Sequence, residues 1–127
     1  MAALHHLALG ARDVEALACF YQDIFELERL QTHHDDHGKI RSVWLDLRPG
    51  ILMIEKSVHQ AQRLEPMALG QGPFLLAFSL DEKGEYRFLN KLKSHQISLE
   101  GRTPATLYFR DLENNRVAVS AYPTPFI

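Results

Sequence analysis

The sequence predicts an α+β protein built from two tandem βαβββ modules. Three observations support this prediction. A strand pattern runs directly into a helix pattern near residue 6, the same pair returns near residue 74, and three short strand patterns follow each helix. We therefore interpret the chain as a tandem duplication of a unit of about sixty residues.

The first module begins with a strand pattern at residues 4–11. Leu7 and Leu9 fall on one face of this strand and His6 falls on the other, which is typical of a half-buried strand. Asp13 follows as a predicted helix cap, and an apolar stripe at helical spacing continues to Phe25. Further strand patterns occupy residues 27–32, 41–47 and 51–57, with turn-forming residues between them.

The second module repeats this order after a connector without periodicity. Its first strand is predicted over residues 74–81, and Asp81 is expected to cap a helix that runs to about His95. Strand patterns at residues 97–100, 105–110 and 116–122 complete it. We assign residues 4–56 to module one, 57–72 to the connector, 73–122 to module two and 123–127 to a tail, all within one domain spanning residues 1–127.

Composition limits the class of protein. A chain of 127 residues with 46% hydrophobic and 24% charged residues suits one compact soluble domain. The net charge of -2 offers no basic face for nucleic acid, and no apolar run approaches the roughly 18 residues of a membrane helix. The first residues lack the pattern of a signal peptide, so we expect a cytoplasmic protein with no membrane partner. The single cysteine, Cys19, excludes a disulfide within the chain.

Alternation also predicts which side chains face away from the helices. One face of each sheet is covered by a helix, and we expect the uncovered faces to join around a cup that binds a small molecule. Trp44 and Tyr108 are equally compatible with ordinary core packing, and Trp44 aligns with either Thr106 or Tyr108 when the two halves are superposed. The expected ligand-binding residues are Trp44, Asp46, Met53, Ser79, Tyr108, Arg110 and Ser120.

Four stretches resemble the vicinal oxygen chelate superfamily, which includes glyoxalase I, bleomycin-resistance proteins, fosfomycin-resistance enzymes and extradiol dioxygenases. They are HLALGARDVEALACFYQDIFEL, WLDLRPGILMIEKS, FLLAFSLD and LYFRDLENNRVAVS. The resemblance covers nearly the whole chain and implies paired βαβββ modules with a U-shaped mixed sheet around a cup, commonly in a dimer. Leu112 and Asn114 depart from the proline and glycine that are usual in the closing turn of this family.

The resemblance also implies where a metal ion would bind. The equivalent positions on the inner strands read His6, Glu55, Leu75 and Ala118, with His6 aligned to Leu75 and Glu55 aligned to Ala118. Leu75 and Ala118 cannot coordinate a metal ion, whereas catalytic sites normally keep about three protein donors. We therefore expect no metal cofactor, with His6 and Glu55 as the remaining weak candidates.

Two classes of function follow from these residues. The first is a metal-free binding protein that holds a small molecule in the cup. The alternative is an enzyme, which is either a lyase, isomerase or dioxygenase using Zn, Ni, Mn or Fe with a modified ligand set, or a metal-free acid/base catalyst using His6 and Glu55. A plain hydrogen bond between His6 and Glu55, without catalysis, is the structural alternative.

Two further features of the sequence concern its surface. The run from His33 to His37 has metal-binding donors, but we interpret it as the solvated tip of a hairpin. Apolar side chains in the connector and tail predict a homodimer, because clustered apolar residues on a surface mark an interface. These residues are Leu64, Met67, Leu69, Tyr122, Pro125, Phe126 and Ile127.

Overall fold

The fold is described from a computed structural model that covers residues 1–58 and 65–127. The connector residue Leu64 lies outside the described residues. The chain forms two compact units, Met1–Arg63 and Leu64–Ile127. Within the described residues, every helix is too short or too polar to span a membrane.

Unit 1 contains one helix and four strands in the predicted order. They are β1 (His6–Ala11), α1 (Val14–Phe25), β2 (Arg29–His34), β3 (Ile40–Asp46) and β4 (Ile51–Lys56). The strands form a mixed sheet in the order β1-β4-β3-β2, in which β1 and β4 are parallel and the other pairs are antiparallel. The predicted βαβββ module is therefore confirmed.

Helix α1 forms where its cap and its apolar stripe coincide. The Asp13 side chain accepts a hydrogen bond from the backbone nitrogen of Ala16 at 3.0 Å, as the sequence predicts. The apolar stripe of α1 packs on β3 and β4. Removing these side chains from water supplies the main driving force for this unit. The fully or almost fully buried residues of this core include Leu17, Phe20, Tyr21, Ile24, Val43, Leu45, Leu52 and Ile54.

A tight turn aligns β3 with β4. The backbone nitrogen of Leu47 donates to the carbonyl oxygen of Gly50 at 2.9 Å, and Gly50 has a positive φ of 84°. A Cβ atom at Gly50 would lie 3.0 Å from the carbonyl oxygen of Leu4, so the residue needs both the conformational freedom and the small size of glycine. This turn fixes the register of the two central strands of the sheet.

Unit 2 repeats the same topology. Its elements are β5 (Leu76–Ser79), α2 (Glu85–Ser94), β6 (Gly101–Arg102), β7 (Thr106–Arg110) and β8 (Arg116–Ser120), and its sheet has the order β5-β8-β7-β6. Strands β5 and β8 are parallel. Phe88 of α2 packs against Phe109 of β7, with 5.8 Å between the ring centroids. The duplication predicted from the sequence is thus present in the fold.

Two local predictions in unit 2 are wrong. The sequence predicts the second strand of this module at residues 97–100, but the strand is Gly101–Arg102, because Gly101 is the residue that pairs with Tyr108 of β7. Asp81 does not cap α2. Its side chain instead accepts from the backbone nitrogen of Lys83 at 2.8 Å in the preceding turn, and α2 begins after Gly84 without a side-chain cap.

The face assignments predict different costs for two leucine truncations in unit 1. Leu52→Ala should lower the free energy of unfolding by about 2–5 kcal/mol, because Leu52 is fully buried beneath α1. Leu30→Ala, at an exposed position of β2, should change it by less than about 1 kcal/mol. Urea denaturation of both variants checks this prediction, and equal losses would contradict the assignment of the buried face.

Candidate functional site

The register of each sheet defines the face that is turned away from the helix. In unit 1, His6 is level with Ile51, Trp44 with Met53, and Ser42 with Glu55. In unit 2, Tyr108 is level with Ala118 and Thr106 with Ser120. These side chains alternate with the buried residues that meet the helices, so they line the uncovered face of each sheet.

The residues of the two units can be matched by counting paired residues outward from the turn between β3 and β4 and from the turn between β7 and β8. The first pairs are Asp46 with Ile51 in unit 1 and Arg110 with Arg116 in unit 2. On this count Trp44 corresponds to Tyr108, which resolves the alternative left by the sequence. Glu55 corresponds to Ser120, and Ala118 corresponds to Met53. The sequence alignment of Glu55 with Ala118 is therefore displaced by two residues.

The same register separates His6 from Glu55. Glu55 pairs with Gly10, four residues along β1 from His6, which at about 3.3 Å per residue is a separation of about 13 Å along the sheet. Two ligands of one metal ion must bring their donor atoms within about 4 Å of each other. His6 and Glu55 are both exposed, and the Nδ1 atom of His6 lies 3.0 Å from that of His5. The structure does not bring His6 and Glu55 together.

The donors on the described residues do not converge on a metal site. At the middle level of each uncovered face the side chains are Ala8, Met53 and Trp44 in unit 1 and Ala77, Ala118 and Tyr108 in unit 2. None of these is a usual ligand of a divalent transition metal. Among residues 1–58 and 65–127, no group of three His, Cys, Asp or Glu side chains is placed to hold an ion. The metal centre that the family resemblance implies does not fit these residues.

A cavity of about 420 Å³ opens on the uncovered side of unit 2. This volume lies in the range that holds small organic ligands. Its wall is largely apolar, with polar groups from Tyr108, Arg116 and Glu100. The lining residues are Leu69, Phe74, Leu75, Glu100, Gly101, Tyr108 and Arg116.

Two charged residues of the cavity lining, Glu100 and Arg116, have hydrogen-bond partners within unit 2. Arg110 binds both carboxylate oxygens of Glu100, with its Nε atom 2.8 Å from Oε2 and its Nη2 atom 3.0 Å from Oε1. This hydrogen bonding lowers the pKa of Glu100 below its ordinary value. Arg116 donates to the carbonyl oxygen of Met67, which ties the end of the connector to β8.

Several predicted ligand-binding residues are occupied by internal hydrogen bonds. Asp46 accepts from the backbone nitrogen and the Nε atom of Arg48, at 3.0 and 3.1 Å. The Ser120 hydroxyl lies 2.7 Å from the hydroxyl of Thr106. Of the predicted ligand-binding set, Tyr108 is the residue that lines the cavity, while Ser79 is exposed at the end of β5.

The run from His33 to His37, predicted as a hairpin tip, lies partly in β2 and partly in the turn that follows it. Asp35 accepts from the backbone nitrogens of His37 and Lys39 at 2.8 and 3.0 Å, and these bonds lower its pKa. His33 instead belongs to β2, and its ring centroid lies 4.9 Å from that of Trp44. His33 was not expected on the uncovered face, because the sequence assigned it to the loop.

Sequence reasoning also missed two polar residues of the cavity. Arg116 shares its face with Ala118 and Ser120, so strict alternation along the last strand would have included it. Glu100 lies just before β6, whose position the sequence did not predict correctly. No pattern in the connector signals that Leu69 reaches the cavity.

Known structures share this fold. FosX, a genomically encoded fosfomycin resistance protein from Listeria monocytogenes complexed with Mn(II) and sulfate, has a TM-score of 0.76 and 17% identity, covering 95% of this chain and 93% of that chain. FosX from Mesorhizobium loti has a TM-score of 0.77 and 14% identity, covering 95% and 92%. Lactoylglutathione lyase from Agrobacterium tumefaciens has a TM-score of 0.65 and 22% identity, covering 94% and 93%.

At these identities the similar structures establish the fold alone. Among curated protein sequences, none matches this chain. The family model described as Glyoxalase/Bleomycin resistance protein/Dioxygenase superfamily matches residues 3–119. This match spans both units and agrees with the two βαβββ topologies. The chain belongs to the Glyoxalase/Bleomycin resistance protein/Dioxygenase superfamily.

Proposed function

We propose that this protein binds a small organic molecule on the uncovered faces of its sheets, without a catalytic metal ion. The observation that carries the proposal is the cavity of about 420 Å³ in unit 2. An apolar wall with a few polar groups is typical of sites that bind small molecules. Leu75 contributes to that wall at a position where the family resemblance implies a metal ligand.

The chemistry of the cavity suggests the kind of ligand. Leu69, Phe74 and Leu75 favour a compact apolar body, and the Tyr108 ring offers a surface for a planar group. Arg116 places a cation beside this wall. A ligand with an apolar ring system and an acidic or strongly polar substituent matches this arrangement.

The probe 8-anilinonaphthalene-1-sulfonate tests this proposal, since it combines aromatic rings with a sulfonate. We expect saturable binding with increased dye fluorescence and a weakening of about fivefold in Tyr108→Ala, which corresponds to about 1 kcal/mol of lost aromatic contact. Tyr86→Ala is the matched control, because Tyr86 is exposed on α2 and lies outside the cavity lining. Absence of binding by the folded protein, or equal weakening in both variants, would contradict the proposal.

The second candidate function is that of a divalent-metal-dependent lyase, isomerase or dioxygenase. The similarity to a FosX structure that contains Mn(II) favours it. In this chain it would need a modified ligand set that includes His6 and Glu55. The separation of about 13 Å between these two residues along the sheet argues against a shared ion.

Elemental analysis separates the two candidates. Protein purified without a histidine tag or chelator should carry well under one equivalent of Zn, Ni, Mn or Fe per chain, because the described donors do not converge. His6→Ala should leave that content unchanged, with His34→Ala as the control for ions held by the exposed end of β2. One equivalent of metal that is lost in His6→Ala would favour the enzyme.

We also propose that the protein acts as a homodimer. The tail is held on unit 2 by backbone hydrogen bonds from Phe126 to Pro104 at 2.8 Å and from Ile127 to Glu82 at 3.0 Å. Tyr122 and Ile127 are nevertheless 81% and 83% exposed, which leaves fixed apolar groups on the surface. Such groups suit burial against a second copy.

Light scattering at micromolar concentration tests the dimer. We expect twice the mass of the chain for the full-length protein and a weakened dimer for a chain that ends at Tyr122, because the truncation removes Phe126 and Ile127. A monomeric full-length protein would overturn the proposed dimer, whereas an unchanged dimer after truncation would overturn the role of the tail.

A further inference from the structure

Three buried polar atoms on the uncovered face of unit 1 have no hydrogen-bond partner among the described residues. They are His33 Nε2, Ser42 Oγ and Trp44 Nε1. His33 and Ser42 are ladder partners across β2 and β3, and His33 is in ring contact with Trp44. Ser42 and Trp44 are two residues apart on β3, so their side chains point to the same side. We call these three residues the polar patch.

The burial of the polar patch demands a partner. Ser42 is only 3% exposed, and its hydroxyl makes no bond with the described protein. Buried polar groups are almost always hydrogen-bonded, and each exception in a native protein requires an explanation. Three such atoms lie on one side of one hairpin.

In unit 2, the hydroxyl group at the position equivalent to Ser42 has a hydrogen-bond partner within the sheet. The residue that corresponds to Ser42 is Thr106, whose hydroxyl lies 2.7 Å from the Ser120 hydroxyl of the neighbouring strand. In unit 1 the ladder partner of Ser42 on that strand is Glu55, which is exposed. The hydroxyl of Ser42 is therefore left for a partner outside the sheet.

We propose that the polar patch binds a neutral oxygen atom, carbonyl or hydroxyl, of a planar ligand that lies against the indole ring of Trp44. This inference rests on the proposed binding function and specifies ligand chemistry for unit 1. The Nε1–H group of tryptophan only donates, so the ligand atom must accept; the serine hydroxyl and an imidazole Nε2–H group donate as well. None of the three residues is an arginine or lysine, the side chains that bind carboxylates and phosphates.

The apolar surroundings of the polar patch support a planar ligand. Met53 is the ladder partner of Trp44 on β4, and its thioether lies on the same face as the indole. Ala8 follows on β1 as the partner of Met53 and adds only a methyl group. The residues beside the polar patch on this face are thus apolar, which suits contact with an aromatic ring system.

Tryptophan NMR offers a direct test, because Trp44 is the single tryptophan of the chain. Its indole N–H group gives one isolated ¹H–¹⁵N cross peak. Titration with acetophenone, a planar ketone, should move this peak downfield in a saturable manner. Ethylbenzene, which has a similar shape without the oxygen, should not. The proposal is overturned if acetophenone does not move the peak, or if ethylbenzene moves it equally. It is also overturned if a water molecule stays bound to the indole N–H group throughout the titration.

Two variants separate binding from folding. Ser42→Ala should weaken acetophenone binding by about fivefold while leaving the melting temperature unchanged or higher, because it removes an unpartnered buried hydroxyl. Thr106→Ala, the matched control in unit 2, should lower the melting temperature by about 3 °C and leave the titration unchanged. A loss of stability in Ser42→Ala equal to that of the control would assign Ser42 a structural role and overturn the proposal.

The two binding tests fail independently. The dye test reports on the cavity of unit 2 through Tyr108, and the indole peak reports on the polar patch of unit 1. Dye binding without an acetophenone response overturns the inference about the polar patch while the proposed function stands. An acetophenone response without dye binding supports the polar patch and counts against the cavity.

Discussion

Both sheets depend on the parallel pairing of their first strand with their last. In unit 1 this pair is β1 with β4, and in unit 2 it is β5 with β8. A parallel pair needs a long connection, and here that connection carries the helix and the two remaining strands. Because the helix packs on one face of its sheet, alternation turns every second side chain of the central strands to the uncovered face.

On the central strands β3 and β4, the face of each side chain was predictable from the sequence, whereas its level along the strand was not. The prediction that Leu45 and Leu52 are buried while Trp44 faces away from the helix follows from a period of two. If the alignment of two strands is shifted by two residues, every side chain stays on the same face of the sheet. The alternation of apolar and polar residues therefore cannot reveal such a shift. This explains why Glu55 was aligned with Ala118 when the ladder pairs place it with Ser120.

Other parts of the candidate site depend on contacts between distant segments. The pairing of Gly101 with Tyr108 sets the position of β6. Glycine is rare in strands and β6 has only two residues, so no sequence pattern indicates where this strand lies. The connector reaches the cavity through Leu69 and the bond between Arg116 and the Met67 carbonyl. The sequence places His33 in a loop, because the polar residues at the end of β2 continue without a break into the polar turn.

The two units share a topology but differ in how they satisfy their polar groups. In unit 2, the Thr106 hydroxyl is hydrogen-bonded with the Ser120 hydroxyl and Arg110 is hydrogen-bonded to Glu100, so these polar groups of the sheet have partners within the unit. In unit 1, His33 Nε2, Ser42 Oγ and Trp44 Nε1 have no hydrogen-bond partner among the described residues. The two units thus share a topology and differ on their uncovered faces, which is consistent with function residing in the faces rather than in the fold.

The small-molecule binding that we propose for this protein needs no metal ion. A thermal-shift screen of planar organic compounds, run in the presence of a chelator and compared with Zn, Ni, Mn and Fe salts alone, tests it most directly. A ligand at 100 times its Kd stabilises the folded state by about 2.7 kcal/mol, enough to raise the melting temperature by several degrees. We expect such an increase with a compound in the presence of chelator and none with the ions. Stabilisation by an ion alone, or by compounds only when an ion is present, would contradict it.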